Sequence, residues 1–199
     1  MTVVRQLVQS GELGEVYCAE LVFHNAYGPD KAWFHQPALA GGGCVMDLGI
    51  HLVDLALWMF GATQVRSVSS RLYAKGRLLS SNPDLIEDHA IAQLDLEKGQ
   101  AVRIACSWNL PAGCDAVIEA TFYGTRGAAS FRNAAGSFYD FVAERFDGTL
   151  RTTLAAPPDA WSGRTAVAWA DRLAADRTFD DSIQEVTAVA QVLDRIYGR

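Results

Sequence analysis

The chain has 199 residues, of which 50% are hydrophobic and 20% charged, and its formal net charge is −6. These values are typical of a globular domain whose core buries roughly 70% of the surface that the unfolded chain exposes. The charges are dispersed and form no basic run, which argues against a nucleic-acid partner or an acidic membrane surface and favours a small-molecule ligand.

The cysteines and the apolar runs indicate the cellular compartment of the protein. Cys18, Cys44, Cys106 and Cys114 form neither a CxxC pair nor a zinc-type spacing, which favours free thiols in a reducing cytosol. The N-terminus has no signal-peptide pattern, and the most apolar run, residues 45–60, is interrupted by three ionisable side chains. We therefore expect one soluble, cytoplasmic domain over residues 1–199, with no membrane span.

The first forty residues predict a helix, a strand and a loop. Residues 2–10 place Val4, Leu7 and Val8 on one side of a helix, and Gly11 stands where such a helix would end. Residues 15–24, EVYCAELVFH, alternate in the manner of a strand. Residues 25–40 then form a long loop, which in a compact domain is usually functional or mobile.

Residues 41–61, GGGCVMDLGIHLVDLALWMFG, predict a long buried helix that is opened by three glycines. Three ionisable side chains, Asp47, His51 and Asp54, interrupt its apolar sequence. At about 100° per residue they lie on one stripe of an α-helix. Burying such groups costs several kcal/mol unless they are paired or neutralised, so the stripe is expected to have a structural partner or a chemical task.

The rest of the chain predicts strands followed by two helices. Strand patterns occur at residues 64–74, 89–96, 101–108, 116–123, 128–132, 138–146 and 150–155. Tight turns between consecutive strands predict antiparallel pairing, and one face of the resulting sheet is apolar while the other is mixed. Residues 163–175 and 181–197 predict helices, the second capped by Asp180 or Asp181. The expected class is α+β, with an open, mostly antiparallel sheet and helices packed on one face.

The ionisable stripe admits three interpretations from its residues alone. In the structural one, His51 is a core histidine that hydrogen-bonds Asp47 one turn earlier. In the catalytic one, Asp47 orients His51, which exchanges a proton with a substrate hydroxyl, while Asp54 accepts hydrogen bonds from substrate hydroxyls. A zinc site is the third, but the sequence has no HExxH pattern and its other histidines show no ligand spacing.

Residues 41–61 resemble the signature of the C-terminal domain of the Gfo/Idh/MocA oxidoreductases, the glucose-fructose oxidoreductase and inositol dehydrogenase group. The segments SGELGEVYCAEL, KAWFHQPALAGGG, IEDHAIAQLDLEKGQAVRIACSWNLP and FYGTRGAASF resemble further family segments in the family's order. The resemblance implies an open, mostly antiparallel sheet whose helix-free face builds homo-oligomers. It also implies oxidation or reduction of a sugar, an inositol or a related polyol with NAD or NADP.

The resemblance also assigns roles to individual residues by position. His51 matches the proton acceptor, Asp47 its orienting partner, and Asp54 a carboxylate of the substrate pocket. Looser candidates for the pocket are Lys31, Trp33 and Asn109.

The sequence departs from the family in one respect. Neither the GxGxxG turn of the family's dinucleotide-binding domain nor its EKP-type lysine is present. We therefore expect no cofactor binding and no activity from this chain alone, and a stripe that faces an open cleft and is more exposed than its apolar surroundings suggest. Two rivals remain open: a non-catalytic ligand-binding or assembly module, and a nicotinamide-free isomerase or metal-assisted hydrolase.

Overall fold

A computed structural model describes residues 1–61, 64–79, 85–179 and 183–199. The strands in these ranges are β1 (Val16–Asn25), β2 (Val65–Ala74), β3 (Arg77–Leu78), β4 (His89–Leu96), β5 (Ala101–Ser107), β6 (Ala116–Gly124), β7 (Gly127–Asn133), β8 (Phe141–Asp147) and β9 (Leu150–Ala155). The helices are α1 (Thr2–Ser10), α2 (Pro37–Ala40), α3 (Ile50–Phe60), α4 (Arg164–Ala175) and α5 (Ile183–Tyr197), with a 3₁₀ turn at Ala32–His35 and a π-helical turn at Val45–Gly49.

The described strands form one sheet in the order β3-β2-β4-β5-β1-β6-β7-β8-β9. All neighbouring pairs are antiparallel except β1 and β5, which run parallel with Leu21 opposite Ile104. A parallel pair needs a long connection, and here the central helix and three further strands, β2, β3 and β4, supply it. The predicted α+β class with an open, mostly antiparallel sheet is confirmed.

Helices α3 and α5 pack on one face of the sheet and on each other. From β5, Val102, Ile104 and Cys106 point into this core, because alternate residues of a strand share a face. The opposite face is mixed: Arg103 pairs with Glu20 across β5 and β1 at 3.1 Å, near exposed apolar residues. The predicted arrangement, with helices on one face and the other face open, is confirmed.

Several predicted elements are shifted or incomplete. The segment predicted as a loop, residues 25–40, contains the 3₁₀ turn and α2, and the two-residue strand β3 was not predicted. In α5, Ile183 and Val186 are exposed although their spacing placed them on the buried stripe, whereas Val189 and Leu193 are buried as predicted. The predicted caps Asp180 and Asp181 lie outside the described residues.

Among the described helical segments, one run, Pro37–Phe60, is apolar and long enough by composition to cross a membrane. Core helices meet the same criterion. The most apolar window of this run is 56% buried inside the domain. In α3 the buried residues include Leu52, Val53 and Ala56, so this run forms part of the core of the domain.

His24 lies on the open face of the sheet. Its Nδ1 is 2.7 Å from Ser107 Oγ, and its ring stacks on His89 with 5.6 Å between centroids. Burial, followed by the nearby His89, lowers the pKa of His24 from 6.5 to about 4. Because protonation is disfavoured in the folded state, His24 contributes stability above pH 6.5 that is lost as the pH falls from 6.5 towards 4.

We expect His24→Asn to flatten this pH dependence, since the unfolded and folded states then no longer differ in protonation at this position. The measurement is the urea-unfolding free energy between pH 7 and pH 4, in about half-unit steps. The matched control is His35→Asn, which changes an exposed histidine. If the unfolding free energies of the original chain and of His24→Asn depend equally on pH, His24 is not the source of this pH dependence.

Candidate functional site

The helix that carries the ionisable stripe does not begin as an α-helix. Asp47 lies in the π-helical turn Val45–Gly49, whereas His51 and Asp54 lie in α3. The prediction of a regular α-helix was therefore wrong for the first turn, and the 100° spacing does not apply between Asp47 and His51. Short π-helical turns inside helices occur frequently at functional sites.

A buried carboxylate, Glu87, holds this helix start in place. Its side-chain Oε1 accepts hydrogen bonds from the backbone amides of Gly43 at 2.8 Å and Val45 at 3.1 Å, and from the hydroxyl of Tyr197 at 2.7 Å. Its backbone oxygen accepts a further bond from the amide of Cys44 at 3.1 Å. Glu87 is 2% exposed, so these partners replace the water that its charge would otherwise require.

The last residues of the chain complete this arrangement. Burial, and then the charge of Glu87, raise the pKa of Tyr197, so its hydroxyl stays protonated and donates to that carboxylate. The guanidinium of Arg199 donates to the backbone oxygen of Gly41 at 3.1 Å and lies over the ring of Tyr197. The end of α5 thereby fixes the segment from which the central helix starts.

Two of the three glycines before the helix, Gly42 and Gly43, are required by close packing. A Cβ on Gly42 would lie 2.6 Å from Tyr197 Cζ, and one on Gly43 would lie 2.5 Å from Ile86 Cγ2. The amide of Gly43 is already bonded to Glu87. The interpretation as a loop with positive backbone dihedrals holds for Gly41, whose φ is 73°, but not for the closely packed Gly42 and Gly43. A free anion-binding helix start does not describe this segment.

Asp47 is half-buried and receives a hydrogen bond from Trp108 Nε1 at 2.8 Å. Trp108 is 4% exposed, and the rings of Phe34 and His35 approach it edge-on, each with 6.2 Å between centroids. Within the described residues, no hydrogen bond joins Asp47 to His51. The carboxylate is thus oriented by an indole from the end of β5, a contact that the sequence analysis did not anticipate.

His51 and Asp54 are exposed on α3, whereas their neighbours Leu52 and Val53 are buried. The imidazole of His51 lies beside Phe23 of β1, with 6.3 Å between ring centroids. The prediction that the stripe is more open than its apolar surroundings suggest is confirmed. The structural interpretation required three enclosed and mutually satisfied side chains, and the exposure of these two side chains does not meet that requirement.

The looser candidates occupy different surroundings. Lys31 is exposed and pairs with Asp30 at 2.7 Å. Trp33 is 45% exposed and stacks on Phe34, which in turn contacts Trp108. Asn109 directly follows Trp108, is exposed, and has a positive φ of 55°. Asn109 thus follows the tryptophan that orients Asp47, Trp33 is linked to that tryptophan through Phe34, and Lys31 is engaged by its sequence neighbour.

Local sequence patterns did not predict Glu87, Tyr197 and Trp108 as parts of this site. Glu87 lies in a segment that resembles the family, IEDHAIAQLDL. Its position as an acid just before an apolar strand was the sequence feature that could have indicated a role for it. All four cysteines are free, and the sulfurs of Cys44 and Cys106 lie 3.9 Å apart in the core. A hydrogen bond with Cys106, together with burial, raises the pKa of Cys44, so this thiol stays protonated.

Residues 1–130 match the sequence model of the GFO/IDH/MocA C-terminal domain. The chain belongs to this family. It is 26% identical over 137 residues to the D-glucoside 3-dehydrogenase of Escherichia coli K12, a match that covers 64% of this chain and 39% of that protein. The chain therefore spans well under two thirds of the length of this curated relative.

Solved structures share the fold of the whole chain. GenD2 from gentamicin A biosynthesis, solved with NAD, superposes on this chain with a TM-score of 0.72 at 24% identity. The match covers 99% of this chain and 57% of the GenD2 chain. KijD10, a 3-ketoreductase from Actinomadura kijaniata solved with NADP and TDP-benzene, superposes with a TM-score of 0.75 at 13% identity. That match covers 99% of this chain and 57% of the KijD10 chain. At these identities the likeness concerns the fold alone.

Proposed function

We propose that this domain is the substrate-binding and oligomerisation half of an NAD(P)-dependent oxidoreductase that acts on a sugar, an inositol or a related polyol. The observation that carries the proposal is the open side of α3. There, exposed His51 and Asp54 follow a half-buried Asp47 that Trp108 orients. Family membership and the sugar dehydrogenase among the relatives support the same substrate class.

In this proposal the stripe handles the proton of a substrate hydroxyl. Oxidation of a secondary alcohol releases a proton from oxygen and a hydride from carbon, and the proposal assigns only the proton to this chain. His51 is the proposed acceptor, because a ring nitrogen of imidazole takes up the proton of a hydroxyl, and Asp47 is its proposed orienting partner. Asp54, on the same exposed side of α3, accepts hydrogen bonds from neighbouring hydroxyls of the substrate.

The one glycine-rich helix start in the described residues does not fit the phosphates of NAD or NADP. Dinucleotide phosphates bind where the backbone amides of a glycine-rich helix start are free. Here the amides of Gly43 and Val45 already donate to Glu87, whose negative charge would repel a pyrophosphate. We therefore propose that the hydride acceptor is not held by this chain alone, and that the isolated chain is inactive.

The open face of the sheet is the proposed contact with a second copy of the chain. It carries the exposed Ile91 beside ion pairs such as Arg103 with Glu20. A mixed face of this kind suits an interface better than a surface of uniform charge. The alternative function, a non-catalytic ligand-binding or assembly module, is supported by the same occupied helix start, since it needs the pocket and the face but no cofactor.

Calorimetric titration of the chain with myo-inositol, D-glucose, NAD and NADP tests the proposal. We expect either myo-inositol or D-glucose to bind. We expect Asp54→Asn to weaken that binding about tenfold, because a hydrogen bond to a charged group contributes roughly 1.5–3 kcal/mol. Asp147→Asn, at an exposed position in the β8–β9 turn, is the matched control and should leave the affinity unchanged. Tight binding of NAD or NADP, or equal polyol affinity of Asp54→Asn and the original chain, would refute the proposal.

A further inference from the structure

A cavity of about 750 Å³ lies beside the candidate site. It is bounded by the turn between β2 and β3, the segment before β4, and the residues that follow β5. Lys75 lines it from the turn, Arg77 from the start of β3, Asp88 from the segment before β4, and Trp108 from the end of β5. His35, from the 3₁₀ turn, lines it as well.

Trp108 joins this cavity to the ionisable stripe. Trp108 is one of the residues that line the cavity, and its Nε1 donates a hydrogen bond to Asp47 at 2.8 Å. A ligand that occupies the cavity therefore contacts the same side chain that orients the candidate catalytic carboxylate. Trp108 therefore connects the cavity to Asp47, the first residue of the stripe.

The charge of the cavity differs from that of the rest of the protein. The chain has a net charge of −6, yet two cations, Lys75 and Arg77, line this cavity against one carboxylate, Asp88. Within the part of the chain that the structure describes, neither cationic side chain has an ion-pair or hydrogen-bond partner. One oxygen of Asp88 is already engaged, since it accepts a bond from the backbone amide of Lys75 at 2.9 Å.

The turn that presents these cations is well defined. Lys75 and Gly76 both have positive φ, 50° and 74°, as a tight turn between two antiparallel strands requires. The bond from the Lys75 amide to Asp88 ties this turn to the start of β4. The two cations are therefore carried by a backbone that is fixed next to the cavity.

We propose that this cavity binds an anionic substituent, a phosphate or a carboxylate, of the sugar whose hydroxyl lies at Asp47 and His51. This inference rests on the proposed function and narrows its substrate class from neutral polyols to anionic sugars. Arg77 supplies a planar set of donors that matches phosphate and carboxylate oxygens, and Lys75 supplies a second positive charge. Both residues are exposed, so an anion reaches the two charges directly from solvent.

The first test is an NMR titration of the full chain with inorganic phosphate at constant ionic strength. We expect saturable shifts at the Trp108 indole and the Gly76 amide, and an affinity about tenfold or more lower in Lys75→Ala/Arg77→Ala. Arg66→Ala/Lys98→Ala removes two exposed cations elsewhere on the same sheet and is the matched control. Shifts that do not saturate, or equal losses in the two double variants, would overturn the proposal.

The second test compares D-glucose, glucose 6-phosphate and glucuronate on the same chain. Tighter binding of either anionic sugar, with the advantage lost in Lys75→Ala/Arg77→Ala, supports the proposal and shows which anion the cavity prefers. Equal binding of all three sugars would overturn the anionic subsite and leave the proposed function intact. Binding of inorganic phosphate without binding of any sugar would instead overturn the proposed function, and with it the link between this cavity and a sugar.

Discussion

Glu87→Ala is expected to lower the free energy of unfolding by about 3 kcal/mol or more. The substitution removes the acceptor of the Gly43 and Val45 amides and of the Tyr197 hydroxyl. Because the side chain of Glu87 is 2% exposed, water does not reach these donors without local rearrangement. Each buried donor left without an acceptor costs roughly 1–3 kcal/mol. Urea unfolding followed by circular dichroism measures the loss.

Two variants separate the loss of these hydrogen bonds from a general effect of removing an acid. Glu87→Gln keeps a side-chain carbonyl oxygen for the same donors, so its loss should be about 1 kcal/mol. Glu97→Ala removes an exposed acid in the turn after β4 and should stay within about 0.5 kcal/mol of the original chain. The assignment is wrong if Glu87→Ala and Glu97→Ala prove equally stable.

Local periodicity predicted the elements of this fold because each element exposes only one side to the core. In β5, Val102, Ile104 and Cys106 alternate with more polar residues, and the structure buries those three on the helix face. The exposed position of His51 and Asp54 on α3 also followed from the sequence, through the resemblance and the cleft that it implied. The spacing of residues within a segment therefore predicted the buried face of the strand, and the family motif predicted the exposure of His51 and Asp54.

Contacts between segments that are distant in the sequence could not be predicted from these local patterns. Glu87 meets residues 43 and 197, and Trp108 meets Asp47, and no local spacing reports such pairs. The π-helical turn has no sequence period of its own, so the first turn was predicted as ordinary α-helix. Turn signals indicate only which consecutive strands pair, which is why the parallel neighbours β1 and β5 went unpredicted.

The helix start depends on backbone atoms as well as on the Glu87 side chain, and Gly43→Ala tests that dependence. A Cβ at this position meets the backbone oxygen of Glu87 and lies 2.5 Å from Ile86 Cγ2. The carbonyl cannot move aside freely, because it accepts the hydrogen bond from the Cys44 amide at 3.1 Å. We expect a loss of about 3 kcal/mol or more, since overpacking against fixed backbone adds to a broken hydrogen bond.

Gly11→Ala is the matched control for this substitution. Gly11 ends α1 with a φ of 73° and has no atom within 4 Å of an added Cβ, so alanine there costs only the left-handed conformation, about 1 kcal/mol. Gly43 has no positive φ, and its loss is therefore steric. Thermal unfolding of the two variants should rank Gly43→Ala well below Gly11→Ala. The reverse order would mean that the helix start tolerates a side chain, and that Glu87 alone determines its position.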